Sequence, residues 1–372
     1  MKNFFNNIKK YPLIVFFGIF LYVLSIADWF SPQYEFSDLE NRYLSKFPSF
    51  SVKALFNNEY TPLIEDFTED HFIKRNSWIS LKSISETVLG KGENNGIVYG
   101  KDGYLFTKSL SDDYTQRLKN ASALASFIEF NDDFNIKIII APTAPSVMTD
   151  KVKDGSPVNN AEAVINQVSE LAGIENVIDI TEALKAHSNE YIYYRTDHHW
   201  TTLGAYYAYS DYMQSIGRKP QSLDNIEFVE VEDFLGTHYS KSKNFNVETD
   251  TLSYIKNDSQ IDIMGTTDSI YDYSKFETRD KYAAFLRGNN AYSSIKGNGE
   301  GKILVIKDSY ANCFIPFLTE DFAQIDVLDM RFYMQNVSML MEEQQYDQVL
   351  VLYNSETFDT DIYVPRLIMY NK

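Results

Sequence analysis

Three short apolar runs near the C-terminus, Lys302–Ile306 (KILVI), Gln324–Leu328 (QIDVL) and Gln348–Tyr353 (QVLVLY), restrict what this chain can fold into. Each has strand length, and Ser309–Leu318 and Met334–Glu343, the segments between them, have helical character. Strands that are apolar on both faces need cover on both faces. A mainly parallel α/β sheet flanked by helices is the architecture that supplies it. The same rhythm runs upstream, with helices expected at Tyr114–Asn131, Ala161–Ala172 and from Thr201 or Thr202 to Ile216, the last closed by Gly217. Strands are expected at Ile136–Ile140 and Asn176–Ile180. Residues 218–300 interrupt the rhythm. They are polar and rich in Asp, Ser and Tyr, with a short strand-like run at Phe228–Val231, and read as an insertion.

The N-terminus is of a different kind. Lys2, Lys9 and Lys10 precede the uncharged run Tyr11–Ala27, which Asp28 and Trp29 close. A basic flank, an apolar span and an aromatic boundary predict one membrane crossing with the N-terminus inside. The run lies at the short end of the roughly 17–25 residues a crossing needs. The alternative is a signal peptide cleaved after Ser25-Ile26-Ala27, leaving a secreted protein. Either reading exports the rest of the chain, so the expected organisation is an anchor over 1–30, a lead-in over 31–95 and the α/β domain over 96–372. In Gly100-Lys101-Asp102-Gly103-Tyr104-Leu105-Phe106, the glycines predict a tight turn entering a strand.

A formal charge of −18 leaves no basic surface for phosphates, which excludes nucleic acid as a partner. One cysteine, Cys313, excludes an internal disulfide framework and cysteine-rich zinc sites. No cofactor is implied.

Chemistry concentrates in Thr196-Asp197-His198-His199-Trp200-Thr201, where two of the five histidines follow a carboxylate. Histidine moves protons near neutral pH. In an extended segment residues i and i+2 face the same way, so Asp197 would orient His199 as a base while His198 turns away. A metal site is the rival, with Asp197, His198, His199, His238 and Asp308 as ligand types. Adjacent histidines do not easily share one ion, however, and the chain has no His-x-x-x-His or His-x-His.

A base needs a nucleophile. Functional groups gather at the carboxyl ends of strands in open α/β sheets, and Lys307-Asp308-Ser309-Tyr310 follows the KILVI strand. A serine there is exposed, and the helix start offers N–H groups to a developing oxyanion. The plainer role for Ser309 is a helix cap.

TDHHWT, GKDGYLF and KDSY together resemble the DHHW protein family, which is similar to the SGNH-hydrolase-like domains of the alginate O-acetylation proteins. The resemblance implies an SGNH-like fold with permuted motif order: Asp197 as orienting acid, His199 as base and Ser309 as nucleophile. It implies transfer or removal of acetyl esters on an extracytoplasmic polysaccharide through an acyl-serine. A transferase would need a multi-span membrane O-acyltransferase to hand acetyl groups across. SGNH hydrolases place site residues after three successive strands, which makes Arg331 and Asn354 oxyanion or substrate candidates here, with Tyr310 beside the serine. The plainer alternatives are an Arg331–Asp329 ion pair and turn chemistry for Asn354. Lys307 stands where SGNH hydrolases carry glycine. Tyr193, Tyr194, Trp200, His238 and Tyr239 are candidates to line a sugar groove, although many of the 27 tyrosines must serve as core. The competing function is a non-catalytic, membrane-anchored scaffold that binds polysaccharide.

Overall fold

A computed structural model describes residues 10–109 and 114–369. The basic flank at Lys2 and Lys9 and the side chain of Trp29 lie outside the description. The chain forms two compact units: one up to Lys91 that also takes in Lys243–Phe245, the other Gly92–Ser242 with the remainder from Asn246.

The first unit contains helices at Pro12–Trp29, Val52–Phe56, Tyr60–His71 and Arg75–Val88. Phe36–Ser37 pairs with Arg42–Tyr43, and Asp70 accepts from Arg42 and from the Ser45 N–H (2.8 Å). Pro12–Trp29 has 18 residues, about 27 Å of helix at the usual rise. Leu13, Ile14, Phe16, Phe17, Leu21 and Tyr22 on it are all exposed. Among the described residues no helix is long and apolar enough to cross a membrane.

In the second unit seven strands form the main sheet: β1 (Ile136–Ala141), β2 (Gln260–Ile263), β3 (Thr266–Ser269), β4 (Tyr292–Lys296), β5 (Lys302–Lys307), β6 (Gln324–Leu328) and β7 (Gln348–Asn354). Their order is β3-β2-β4-β6-β5-β7-β1. β6, β5, β7 and β1 pair in parallel, while β4, β2 and β3 add on antiparallel. The fold is therefore α/β with a mainly parallel core, as the apolar runs require. Residues 218–300 do more than interrupt it. They supply β2, β3 and β4, and the pairing of Phe228–Phe234 with Asp250–Ile255.

Alternate side chains of each parallel strand enter different layers. Ile303, Val305, Leu350 and Leu352 join Tyr209, Tyr212 and Phe314 on one face. Leu304, Ile306, Val349 and Val351 join Leu124, Phe127, Val168 and Met341 on the other. The chain leaving β5 packs on the first face through Phe314, and the chain leaving β7 packs on the second through Phe358. Neighbouring strands whose connections depart to opposite faces open a crevice at their carboxyl ends. Ser309 lies two residues beyond the last residue of β5, at that carboxyl edge.

Two expected elements differ. Asn176–Ile180 makes a single bridge, Val177 to Ile138, because the Asp179 carboxylate accepts the Thr181 N–H (2.9 Å) and turns the chain into the helix Thr181–Ala186. The helix expected at Ser309–Leu318 is two 3₁₀ turns, Ser309–Asn312 and Ile315–Glu320. Pro316 lacks the N–H an α-helix would use there, and Asp308 consumes another. The glycine turn forms as read: Gly103 has φ +79° and leads into Leu105–Thr107.

Candidate active site

Asp197, His199 and Ser309 form one hydrogen-bonded line. His199 Nδ1 lies 2.5 Å from Asp197 Oδ1, and Nε2 lies 2.8 Å from Ser309 Oγ. A carboxylate only accepts, so Nδ1 carries the proton and the Nε2 lone pair faces the serine hydroxyl. Asp197 and His199 are buried, whereas Ser309 is half-buried and within reach of solvent. Burial pushes the Asp197 carboxyl up. The flanking imidazoles and the hydrogen bonds from His199 and Thr237 outweigh it and hold Asp197 well below the usual carboxylate range. Those bonds include the His199 N–H (3.0 Å), the Thr237 N–H (2.7 Å) and the Thr237 hydroxyl (3.1 Å).

Each further residue of the motif has a task. Asp250 accepts the Arg195 and Thr196 N–H groups (3.0 and 2.8 Å), the Thr196 hydroxyl (2.6 Å) and the Tyr191 hydroxyl (2.5 Å), pinning the segment in place. Trp200 Nε1 donates to the Tyr310 carbonyl (2.9 Å), and the Tyr310 hydroxyl donates to the His198 carbonyl. This reciprocal pair ties the Asp-His half to the serine turn. Thr201 caps the helix Thr202–Ser215 by accepting the Gly204 N–H (3.2 Å), and Gly217 follows with φ +74°.

His198 is not turned away. The segment bends instead of extending, so strict alternation fails: the His198 and His199 rings lie 3.7 Å apart between centroids. The Thr237 hydroxyl proton goes to Asp197, so its oxygen accepts from His198 Nδ1 (2.6 Å). Burial, then the neighbouring His199, hold His198 well below the usual imidazole range. Asp197, His198 and His199 also offer one ligand atom each within 4.8 Å of one another. Both ring nitrogens of His199 are committed to the line described above, an arrangement suited to moving a proton.

Several candidates occupy positions other than those anticipated. Trp200, Tyr193, Tyr194 and Tyr310 are at most 1% exposed and His238 is 5% exposed, so none of them offers a face to a sugar. Their rings fill space behind the site, and His238 Nε2 meets the Thr107 hydroxyl at 3.0 Å. Tyr239 is half-buried, with the Arg279 guanidinium 5.1 Å from its ring. The Tyr310 N–H donates to Asp308 Oδ1 (2.9 Å), which removes one backbone donor from an oxyanion hole. Asn354 gives its N–H (2.8 Å) and Nδ2 (2.5 Å) to Asp308 Oδ2, and Nδ2 also meets the Thr357 hydroxyl (2.7 Å). Its Oδ1 caps the next helix at the Thr357 N–H (2.9 Å). Arg331 grips Asp329 with Nε (2.8 Å) and Nη2. Both residues stand near strand ends, Asn354 with its amide engaged and Arg331 with Nε and Nη2 on Asp329 and its side chain 33% exposed.

Lys307 does not obstruct the turn. It is the last residue of β5, 1% exposed, with Nζ donating to Asn289 Oδ1 (2.7 Å) and Asn312 Oδ1 (2.6 Å), and Asp329 at 3.8 Å. Burial pushes its ammonium down to about 8, against the pull of Asp329.

The site residues missed by sequence reasoning come from 218–300. Tyr282 stacks on His199 (centroids 3.7 Å, planes 12° apart) and donates to the Ser309 carbonyl (3.1 Å). Gly236 sits against Asp197, where an added Cβ would lie 2.1 Å from Asp197 Cβ and 2.6 Å from its Cα. Gly236→Ala is accordingly expected to shift Asp197, destabilise the protein by about 1–3 kcal/mol and slow any Ser309 acylation at least about tenfold. Unaltered thermal stability and acylation rate in this variant would contradict the contact.

The sequence profile of the DHHW protein family matches residues 85–328. No curated protein matches the chain. Among solved structures, a DHHW family protein from Eubacterium siraeum DSM 15702 is similar at 26% identity and a TM-score of 0.64, over 74% of this chain and 95% of that one. Bacillus cereus PatB1, in a structure with a sulfonyl adduct, is similar at 20% identity and a TM-score of 0.60, over 72% and 97%. The O-acetyltransferase domain of Pseudomonas putida AlgJ gives 16% identity and a TM-score of 0.46, over 72% and 93%. With its profile covering most of the chain and the motif Asp197-His198-His199-Trp200 at the centre of the site, the protein belongs to the DHHW family.

Proposed function

We propose that this protein is an extracytoplasmic O-acetyltransferase or acetylesterase that acts on a cell-envelope or secreted polysaccharide through an acyl-Ser309 intermediate. The observation that carries the reading is the line Asp197–His199–Ser309 ending on a solvent-reachable hydroxyl. As Ser309 Oγ bonds to the ester carbonyl carbon, its proton passes to His199 Nε2 and the carbonyl π pair moves onto oxygen. Collapse breaks the ester C–O bond, and the leaving alcohol takes the proton from His199. A sugar hydroxyl or water then attacks the acyl-serine by the same steps in reverse. Asp197 keeps the imidazole in the productive tautomer and balances the imidazolium. Acetyl as the group and polysaccharide as the acceptor rest on the family resemblance.

Mass spectrometry after incubation with an activated acetyl ester tests the reading. One acetyl group is expected on Ser309, absent in Ser309→Ala and in His199→Ala. An unmodified wild type would sink it. One observation favours the alternative of a non-catalytic polysaccharide-binding protein: the Tyr310 N–H and the Asn354 amide, two donors an oxyanion would use, are already committed. Polysaccharide binding without Ser309 acetylation would establish that alternative.

The exposed apolar side chains of the Pro12–Trp29 helix, among them Leu13, Ile14, Phe16, Phe17, Leu21 and Tyr22, support membrane attachment, and the basic residues that precede it in the sequence support placing the α/β unit outside. A membrane O-acyltransferase would then supply the acetyl group. The full chain is expected to stay in the membrane pellet after alkaline carbonate washing. Its quantitative release would overturn the attachment.

A further inference from the structure

We propose that the side-chain amide of Asn289 is the donor that stabilises the oxyanion of the acyl-transfer step, held in place by Lys307 and Asn312. The proposal rests on the acyl-serine reading above and names a catalytic residue within it.

Asn289 stands at the right edge of the sheet. It lies just before β4, whose first residue Tyr292 pairs with Leu328, the last of β6. Antiparallel pairing thus brings Asn289 to the carboxyl edge of the parallel strands, where Ser309 follows β5. The segment leading to it already wraps the serine, since Tyr282 covers His199 and donates to the Ser309 carbonyl. Leu286, Arg287 and Gly288 then run through three successive left-handed conformations (φ 53°, 56° and 90°). Two of these are not glycine, a backbone conformation that residues with side chains rarely adopt. The turn it makes delivers Asn289.

The orientation of the amide is determined by its neighbours. Asn289 Oδ1 accepts from Lys307 Nζ (2.7 Å) and from Asn312 Nδ2 (3.2 Å). Two donors on the oxygen leave the NH₂ end directed away from them, and Asn289 is exposed. Asn312 is three residues after Ser309 within one 3₁₀ turn, where side chains at i and i+3 eclipse. The Lys307–Asn289–Asn312 triangle is therefore built on the same face of the turn as the serine hydroxyl. This gives Lys307 a positioning role through Asn289. It also answers the loss of Tyr310 N–H and Asn354 Nδ2 as donors, because Asn289 Nδ2 hydrogens are uncommitted among the described residues while theirs are not.

Asn289→Asp separates chemistry from structure. Aspartate keeps an acceptor for Lys307 and Asn312 but has no N–H to donate. The rate of Ser309 acetylation by an activated acetyl ester is expected to fall about 10²–10³-fold in both Asn289→Asp and Asn289→Ala. The loss should appear in the maximal rate with KM little changed, and the thermal midpoint of Asn289→Asp should match wild type. An Asn289→Asp variant acetylated within threefold of wild type would overturn this inference alone and leave Ser309 as nucleophile. Absence of any acetyl adduct on wild type would overturn the acyl-serine reading, and this one with it.

Discussion

Asp197→Asn is expected to slow acetylation of Ser309 by about 10⁴-fold, the scale seen when an orienting carboxylate is replaced by its amide in a serine–histidine pair. Asp197 Oδ1 receives the His199 Nδ1–H and N–H, and Oδ2 receives the Thr237 N–H and hydroxyl. Both oxygens must accept. An asparagine presents NH₂ to one of those donor pairs, so either the backbone contact at Thr237 is lost or His199 flips to the tautomer that cannot take the Ser309 proton. Pre-steady-state acetylation followed by mass spectrometry measures the effect, and a loss below tenfold would contradict the orienting role. The same substitution should also weaken the response of stability to pH. The folded-state pKa of Asp197 is depressed, so its contribution is complete above the unfolded value of about 3.9 and disappears as pH falls through the lower folded value. Wild type should therefore lose stability below about pH 4 more steeply than Asp197→Asn does in parallel unfolding curves.

Asp308→Ala should have the largest effect on stability of any single change near the site. This 3%-exposed carboxylate joins the ends of β5 and β7: Oδ2 accepts the Asn354 N–H and Nδ2, and Oδ1 accepts the Tyr310 N–H. Burial pushes the carboxyl up, and the N–H groups of Asn354 and Tyr310 oppose that shift. Alanine leaves two buried backbone N–H groups unpaired, while Asn354 Nδ2 keeps the Thr357 hydroxyl; at about 1–3 kcal/mol for each unpaired group the loss is roughly 2–6 kcal/mol, against a total of about 5–15 kcal/mol for an ordinary domain. Chemical denaturation would register the loss as a lower midpoint at unchanged slope. A change under about 1 kcal/mol would mean that water or rearrangement satisfies those groups.

Parts of the site were legible because they are local. Asp197 and His199 are two residues apart, and Ser309 follows an apolar strand at the edge where α/β sheets hold their chemistry. Arg331 and Asn354 were placed at the correct strand ends, but position does not reveal occupancy. Whether an amide or guanidinium is available depends on Asp329, Asp308 and Thr357, partners set by packing. His198 was assigned by an alternation that holds only for an extended chain, and Asp250 and Thr237 bend that segment. Aromatic residues around the motif were matched to sugar faces by type alone, whereas burial makes Trp200, Tyr193 and Tyr194 its internal scaffold.

Periodicity and length alone determined the parallel core and the capped helix after the motif, since these follow from backbone chemistry over a few residues. Only tertiary structure decided that 218–300 completes the sheet and encloses the serine. Polar, turn-rich segments carry no periodic signal, so their place is set by partners distant in sequence. Tyr282 over His199, Gly236 against Asp197 and Asn289 on Lys307 are contacts of that kind. Lys307 shows the difference most directly: as a letter in the sequence it obstructs a glycine turn, and in the fold it is the buried post that orients an amide beside the nucleophile.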